Sequence, residues 1–490
     1  MDPSLANTGI EGLDDILDGG LPRNRLYLVQ GDPGAGKTTL GLQYLLAGAA
    51  QGETTLFISL SETKDEIEAV AESHGWSLAG ISIFELSALE QTLSLEQETT
   101  LFELTEVQLQ ETTSTLLAHV EKVKPQRVVF DSLSEIRLLS QSSLRYRRQL
   151  LALKQYFAGK QCTVLLLDDR TSEEGDPQLQ SLANGVISME QAAPLYGDDR
   201  RQIRVVKLRA RKFRGGFHDF VIRTGGLEVF PRLVAAEHRG DFKLESISSG
   251  LVPLDRLLGG GIDRGTSTLI MGPAGTGKSA LALQYAMAAA KRGECVGLFS
   301  FDEGLLTLYS RATALGMDLP GEVKSGRVII RRIDPAEMSP GEFASGVRGM
   351  VEEKDARVIV IDSINGYLNA MPEYRLLGMQ MHELLSYLGQ QGVATILVLA
   401  QHGMIGSMES PVDVSYLADT VIVLRYFEAG GRVRKAVSVL KKRSSLHEDS
   451  IRELVLDRQG LRVGEILEGF TGVLTGVPRF AGELGKLIGS

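Results

Sequence analysis

The chain has 490 residues, 43% hydrophobic and 23% charged, a balance ordinary for a water-soluble globular protein and long enough for two to four domains. Its formal charge of −10 argues against a phosphate-hugging surface over the whole chain, though a local basic groove stays compatible. Two cysteines, Cys162 and Cys295, provide neither a disulfide framework nor zinc spacing; each opens an apolar run and reads as a small buried side chain in a reducing compartment.

In chain order, the opening MDPSLANTGIEG lacks the basic-then-apolar pattern of a secretory signal. RLYLVQG reads as a strand, followed by a glycine-rich turn and a helix from Thr38 with a Leu42/Leu45/Leu46 face. Gly31–Thr38 (GDPGAGKT) fits G-x-x-x-x-G-K-[ST] in the strand-turn-helix context that gives the motif meaning. Its glycines let backbone N–H groups converge on phosphate oxygens at a helix N-terminus. Gly34, Ala35, Gly36, Lys37, Thr38 and Thr39 are the candidate nucleotide-binding positions. Lys37 is read as neutralising the β- and γ-phosphates, and Thr38 as offering a hydroxyl to Mg²⁺.

TTLFISL is the next strand and runs into Ser61-Glu62. A carboxylate there, at the carboxyl end of a strand beside the P-loop, is placed to polarise an attacking water, so Glu62 is a candidate catalytic base. A solvated acid at a helix start is the plainer reading of the same residue. RVVFD ends in Asp131, a candidate metal acid; TVLLLDD and the alternating QIRVVKLRA follow as further strands.

The pattern then repeats. Residues 8–39 and 249–280 align without a gap, so that Lys37 matches Lys278, 241 residues later. The second P-loop is Gly272–Ser279, with Gly275, Thr276, Gly277, Lys278, Ser279 and Ala280 as binding positions and Ser279 as the metal-facing hydroxyl. CVGLFSF runs into Asp302-Glu303, the catalytic candidates of this half, and RVIVID ends in the metal candidate Asp362. ATILVLA and KAVSVLKKR follow. Near-continuous apolar strands alternating with helices predict an α/β fold: two tandem P-loop domains, each a mostly parallel sheet covered by helices. The expected limits are 1–232, a linker over 233–246, 247–480, and a short tail over 481–490. No apolar run is long enough to span a bilayer, and a cytoplasmic location is expected.

This ordered set resembles the KaiC family, the double-domain RecA-like ATPases of the cyanobacterial clock. The resemblance spans roughly residues 5–480. It rests on TGIEGLDDILDGGLP, both P-loops, Ser61-Glu62, Asp302-Glu303, both Asp-Ser strand ends, Lys207-Leu208-Arg209 with His218, KKRSSLH from Lys441 to His447, and GEILEGFTGVLTGVP. It implies a homohexamer of two stacked rings with ATP between subunits. Lys207, Leu208, Arg209 and His218 of one copy would then serve a neighbour's first nucleotide, and Lys441, Arg443 and His447 the second. It also implies self-phosphorylation in the second half, where Ser415-Tyr416 stands at the family's hydroxyl pair. A KaiB-like or other signalling partner is implied with it. The chain departs from the family in having Ser61 where the first glutamate stands and Asp302, one methylene shorter, at that place in the second half. The family's clock members also carry a longer tail than AGELGKLIGS.

Two other functions remain open from the sequence. A RecA- or RadA-like DNA-dependent motor would want basic, glycine-rich central loops, which are absent, and the acidic balance makes nucleic acid an unexpected partner. A nucleotide-switched scaffold with little turnover is compatible with Ser61.

Overall fold

The strand Leu26–Gly31 is buried along its whole length, and its side chains divide between two cores. Tyr27 and Val29 enter one apolar cluster, Leu26 and Leu28 the other. The neighbouring strand Thr163–Asp169 divides the same way, with Leu165 and Leu167 on one face and Val164 and Leu166 on the opposite one. A sheet covered on both faces has no polar side, which is why these strands read as unbroken apolar runs. Truncating a central member such as Leu28 to Ala should cost about 2–5 kcal/mol.

The computed structural model describes residues 2–85, 105–140, 142–170, 177–369, 377–401, 416–475 and 478–480. The chain forms two compact units, Met1–Arg232 and Leu233–Ser490. In the first, nine strands run in the order Gly226–Phe230, His218–Arg223, Arg200–Leu208, Gly185–Ala192, Leu26–Gly31, Thr163–Asp169, Arg127–Asp131, Thr55–Ser59, Ile81–Glu85. The six from Gly185–Ala192 onward are parallel, and the other three extend the sheet antiparallel. The second unit repeats the arrangement: Val328–Arg332, Cys295–Ser300, Ala356–Asp362, Ala394–Ala400, Ser267–Gly272 and Thr420–Ala429 are parallel, and Arg432–Lys442, Arg452–Asp457 and Gly460–Ile466 antiparallel. These are two RecA-like P-loop domains in tandem, as the apolar runs predict. In each, the P-loop strand lies inside the sheet with parallel neighbours on both sides.

The expected linker is not free chain. Ala235 N donates to Glu383 Oε2 at 3.1 Å, Gln391 Nε2 to His238 O at 2.8 Å, and Gly240 N to Gln390 O at 3.1 Å, and His238 stacks edge-on against Tyr387. Residues 233–240 therefore dock on and just beyond the helix Leu377–Gln390 and belong to the second unit. Cys162 is buried as expected, whereas Cys295 is only half-buried at its strand start; both are free thiols. Among the described residues no helix is long and apolar enough to cross a membrane.

Candidate active sites

Each P-loop turns at glycines in the left-handed region. Gly36 has φ +93° and Gly277 φ +106°, and each immediately precedes its helix, Lys37–Ala50 or Lys278–Lys291. A Cβ at Gly36 would stand 2.6 Å from Ile222 Cδ1, and one at Gly277 2.6 Å from Leu456 Cδ1; those side-chain ends can shift, so it is the left-handed backbone that demands glycine. Neither glycine can supply a side-chain cap, so the first-turn N–H groups stay directed at whatever anion enters the loop. Ala35, Thr39, Thr276 and Ala280 are buried and shape the turn from beneath, and Thr276 Oγ1 donates to Pro273 O at 2.8 Å.

The two lysines are buried yet held differently. Lys37 Nζ donates to Gly31 O at 3.0 Å and Asp32 O at 2.9 Å, and pairs with Asp169 Oδ1 at 2.8 Å. Lys278 Nζ donates to Pro273 O at 2.7 Å. Burial lowers the Lys278 ammonium to about 8, with Asp362 opposing that shift. Beside the lysines, Thr38 Oγ1 donates to Asp131 Oδ2 at 2.7 Å, and Ser279 hydrogen-bonds Asp362. Burial pushes both aspartates above the usual carboxylate range, while these hydroxyls pull them back. Among the described residues no group of three or more His, Cys, Asp or Glu side chains forms a metal cage.

The carboxylates at the neighbouring strand end sit in matching turns. Ser59 Oγ donates to Glu62 O at 2.6 Å and accepts from Glu62 N at 3.0 Å, and a Thr63–Glu66 capping box then starts the helix Lys64–Ser73. Ser300 Oγ likewise donates to Glu303 O at 3.0 Å. Glu303 pairs with Arg311 at 2.7 Å, and exposed Asp302 accepts from Ser363 Oγ at 2.5 Å. Asp169 and Arg311 were not singled out from the sequence, and Ser363 entered only as part of an Asp-Ser strand end. The repeat held the signal for Arg311, since the first half has Val70 in its place; the contrast of Asp169 with Ala400 emerges only from strand register.

The basic segments lie elsewhere. Arg209 N bonds Asn184 O, and Asn184 N bonds Leu26 O, which sets Arg209 at the opposite end of the sheet from the P-loop that follows Gly31. Arg443 N bonds Asp419 O, and Asp419 N bonds Ser267 O, the same placement in the second unit. Lys207 Nζ donates to Gln180 O at 2.6 Å and Lys441 Nζ to Ala418 O at 2.7 Å. Arg209 reaches Ser181 O at 3.0 Å, while exposed Arg443 pairs with Asp419 at 3.5 Å. His447 is half-buried. Two residues of the set are packed into the first unit. Leu208 is packed in the core, so its side chain is not presented to a ligand. His218 is 1% exposed; its Nδ1 accepts from Arg232 N at 2.8 Å, which leaves the proton on Nε2 to go to Arg214 O at 3.1 Å. Burial lowers this imidazole to about 4, so it is a neutral core group. Tyr416 is 58% exposed, and Ser415 lies outside the described residues.

A family model described as "ATPase: KaiC" matches residues 6–234 and again residues 247–468. The chain is 26% identical to the circadian clock protein KaiC3 of Synechocystis, over 97% of this chain and 95% of that protein. It is 27% identical to KaiC2 of the same organism, over 96% and 83%, and 26% identical to the circadian clock oscillator protein KaiC of Synechococcus elongatus, over 96% and 91%. With two P-loop cradles on two RecA-like sheets and the family model matched twice, the chain belongs to the KaiC ATPase family.

Proposed function

We propose that this chain is an ATP-hydrolysing homohexamer of two stacked rings, with each nucleotide held between a P-loop of one copy and the Lys-x-Arg segment of the next. The observation that carries this reading is the placement of Arg209 and Arg443 at the sheet end away from their own P-loops. If either arginine is to meet a γ-phosphate, that phosphate must then be bound to another copy. ATP, when bound, supplies the phosphoryl group to be transferred, and Thr38 with Asp131 and Ser279 with Asp362 would hold Mg²⁺ against its phosphates. A hydroxyl beside one acid suits a metal that keeps several of its own waters and takes the remaining oxygens from phosphate. Lys37 and Lys278 neutralise the oxygens on which charge develops, and Glu62 and Glu303 orient the attacking water and accept its proton. The second unit has two carboxylates at its strand end, Asp302 and Glu303, where the first has Ser61 and Glu62. It is the unit better equipped to activate a serine hydroxyl, and Ser415 is the proposed acceptor.

Native mass spectrometry with and without Mg·ATP tests the ring: a hexamer with nucleotide is expected, and a monomer under both conditions would sink it. Turnover should vanish when Lys37 and Lys278 are both Ala. Phosphopeptide mapping after incubation with Mg·ATP should place phosphate on Ser415; none between residues 407 and 420 removes the kinase activity and leaves the ATPase.

A further inference from the structure

The cradles differ most at one strand position. Thr163–Asp169 and Ala394–Ala400 are the parallel neighbours of the two P-loop strands, paired Gly31 with Asp169 and Gly272 with Ala400. The next backbone N–H confirms the equivalence: Arg170 N donates to Gly31 O at 3.1 Å and Gln401 N to Gly272 O at 3.0 Å. One cradle thus has a carboxylate where the other has a methyl group.

That carboxylate is fixed from both sides. Asp169 Oδ1 lies 2.8 Å from Lys37 Nζ, and Oδ2 accepts from Ser134 Oγ at 3.2 Å. The Lys37 side chain is 8% exposed and that of Asp169 40%, so the aspartate stands on the solvent side of the ammonium. In the second unit Asn365 occupies the place of Ser134 and ties only the backbone of Ala400, through Ala400 N at 2.7 Å and Ala400 O at 2.9 Å. A phosphate arriving at Lys37 therefore meets Asp169 as well as Asp131, whereas one arriving at Lys278 meets Asp362 without a second strand-end acid at position 400.

We propose that Asp169 is a resident counter-ion that the terminal phosphate of a nucleotide must displace from Lys37, making the first cradle selective for diphosphate over triphosphate relative to the second. The proposal rests on the ATP reading above. Displacement forfeits the Lys37–Asp169 pair and places a phosphate oxyanion beside a carboxylate, and both effects grow with the charge brought to the lysine. A β-phosphate is held by the loop amides as well as by the ammonium, so it loses a smaller share of its binding than a γ-phosphate that depends more on the ammonium.

The test measures equilibrium binding of Mg·AMP-PNP and Mg·ADP to the full chain, with one cradle silenced at a time. In a Lys278→Ala background, Asp169→Asn should tighten Mg·AMP-PNP about tenfold and Mg·ADP by clearly less. In a Lys37→Ala background, Ala400→Asp should weaken Mg·AMP-PNP at the second cradle by a similar factor. Unchanged or weakened AMP-PNP binding in folded Asp169→Asn would overturn the proposal, as would an Ala400→Asp cradle as tight as its parent. If Asp169→Asn does not fold, the Ala400→Asp result decides alone. An unaltered chain that binds neither nucleotide would instead overturn the ATP reading, and this proposal with it.

Discussion

Arg311 Nη2 lies 2.7 Å from Glu303 Oε2, and the first unit has no such pair: Val70 holds the aligned position, and Glu62 Oε2 is buried with no hydrogen-bond partner among the described residues. Burial pushes both carboxyls above their ordinary range. Arg311 then pulls Glu303 back against a smaller push from Asp362, whereas Asp131 and Glu66 both push Glu62 further up. Two turns of the same backbone design thus present one carboxylate anchored by an arginine and one without that anchor.

The anchored carboxylate gives a pH prediction. A base must be ionised, so turnover by the second unit falls as pH drops through the Glu303 value. Arg311 is the group that lowers that value, so Arg311→Ala should move the acidic limb of kcat to higher pH, with Arg311→Lys in between. The profile is read in a Lys37→Ala chain. A limb that stays in place in Arg311→Ala would show that Glu303 does not take the proton.

Glu62 gives the reverse pairing of activity and stability. In a Lys278→Ala chain, Glu62→Gln should lower turnover about 10²–10⁴-fold with nucleotide still bound. Its folded value is raised, so the stability it contributes is complete below the unfolded value and is lost as pH rises through the folded one. Glutamine escapes that loss, and the variant should unfold later than the parent at pH 8. Retained turnover, or a less stable variant at pH 8, would contradict the assignment.

These differences show what a single sequence displays and what it hides. The central strands were legible because burial on both faces leaves runs such as TVLLLDD and RVIVID. The edge strand Ile81–Glu85, only partly buried along its length, offered no such run and was missed. The P-loops were legible because all their chemistry is local. Asp169 was not: TVLLLDD ends in two acids, and only strand register sends Asp168 to Arg137 and Asp169 to Lys37. The burial of His218 was hidden because its place in a motif says nothing of the antiparallel pairing that buries it. The 233–246 stretch looked like a linker because it lacks periodicity, yet irregular chain can still dock through its own backbone hydrogen bonds.

An ion pair built on a fully buried arginine supports the first site. Arg127, which begins the strand ending in Asp131, donates Nε to Glu53 at 2.7 Å and Nη1 to Asn7 O at 2.7 Å and Tyr44 O at 2.9 Å. Burial would raise Glu53, but hydrogen bonds from Arg23 and Arg127 outweigh it and hold the carboxyl at about 2. The stability this group contributes is therefore present above its unfolded value near 4.5 and is lost as pH falls from there toward 2. Arg127→Ala should cost about 1.5–3 kcal/mol at pH 7, since Glu53 keeps Arg23 but loses the buried guanidinium. Trp76, the chain's single tryptophan, packs against the core of the first unit, so its fluorescence during urea unfolding reports on that unit. A loss below 1 kcal/mol would mean that the pair is dispensable to the fold.

The shared-site geometry is best tested by mixing inactive chains. With Lys37→Ala throughout, activity comes from the second ring alone. A Lys278→Ala chain lacks its own cradle but keeps Arg443, and an Arg443→Ala chain lacks the arginine but keeps its cradle. If each nucleotide takes a lysine from one copy and an arginine from the next, neither chain turns over alone. Rings assembled from equal amounts should then rebuild about a quarter of the interfaces. Turnover of the mixture, after dissociation and reassembly in Mg·ATP, should exceed the sum of the two separate chains. Were Arg443 to act on the nucleotide of its own chain, no mixed ring could contain an intact site and the mixture would stay as inactive as its parts. The placement of Arg443 at the Ser267 end of the P-loop strand, away from the P-loop that follows Gly272, makes complementation the expected result.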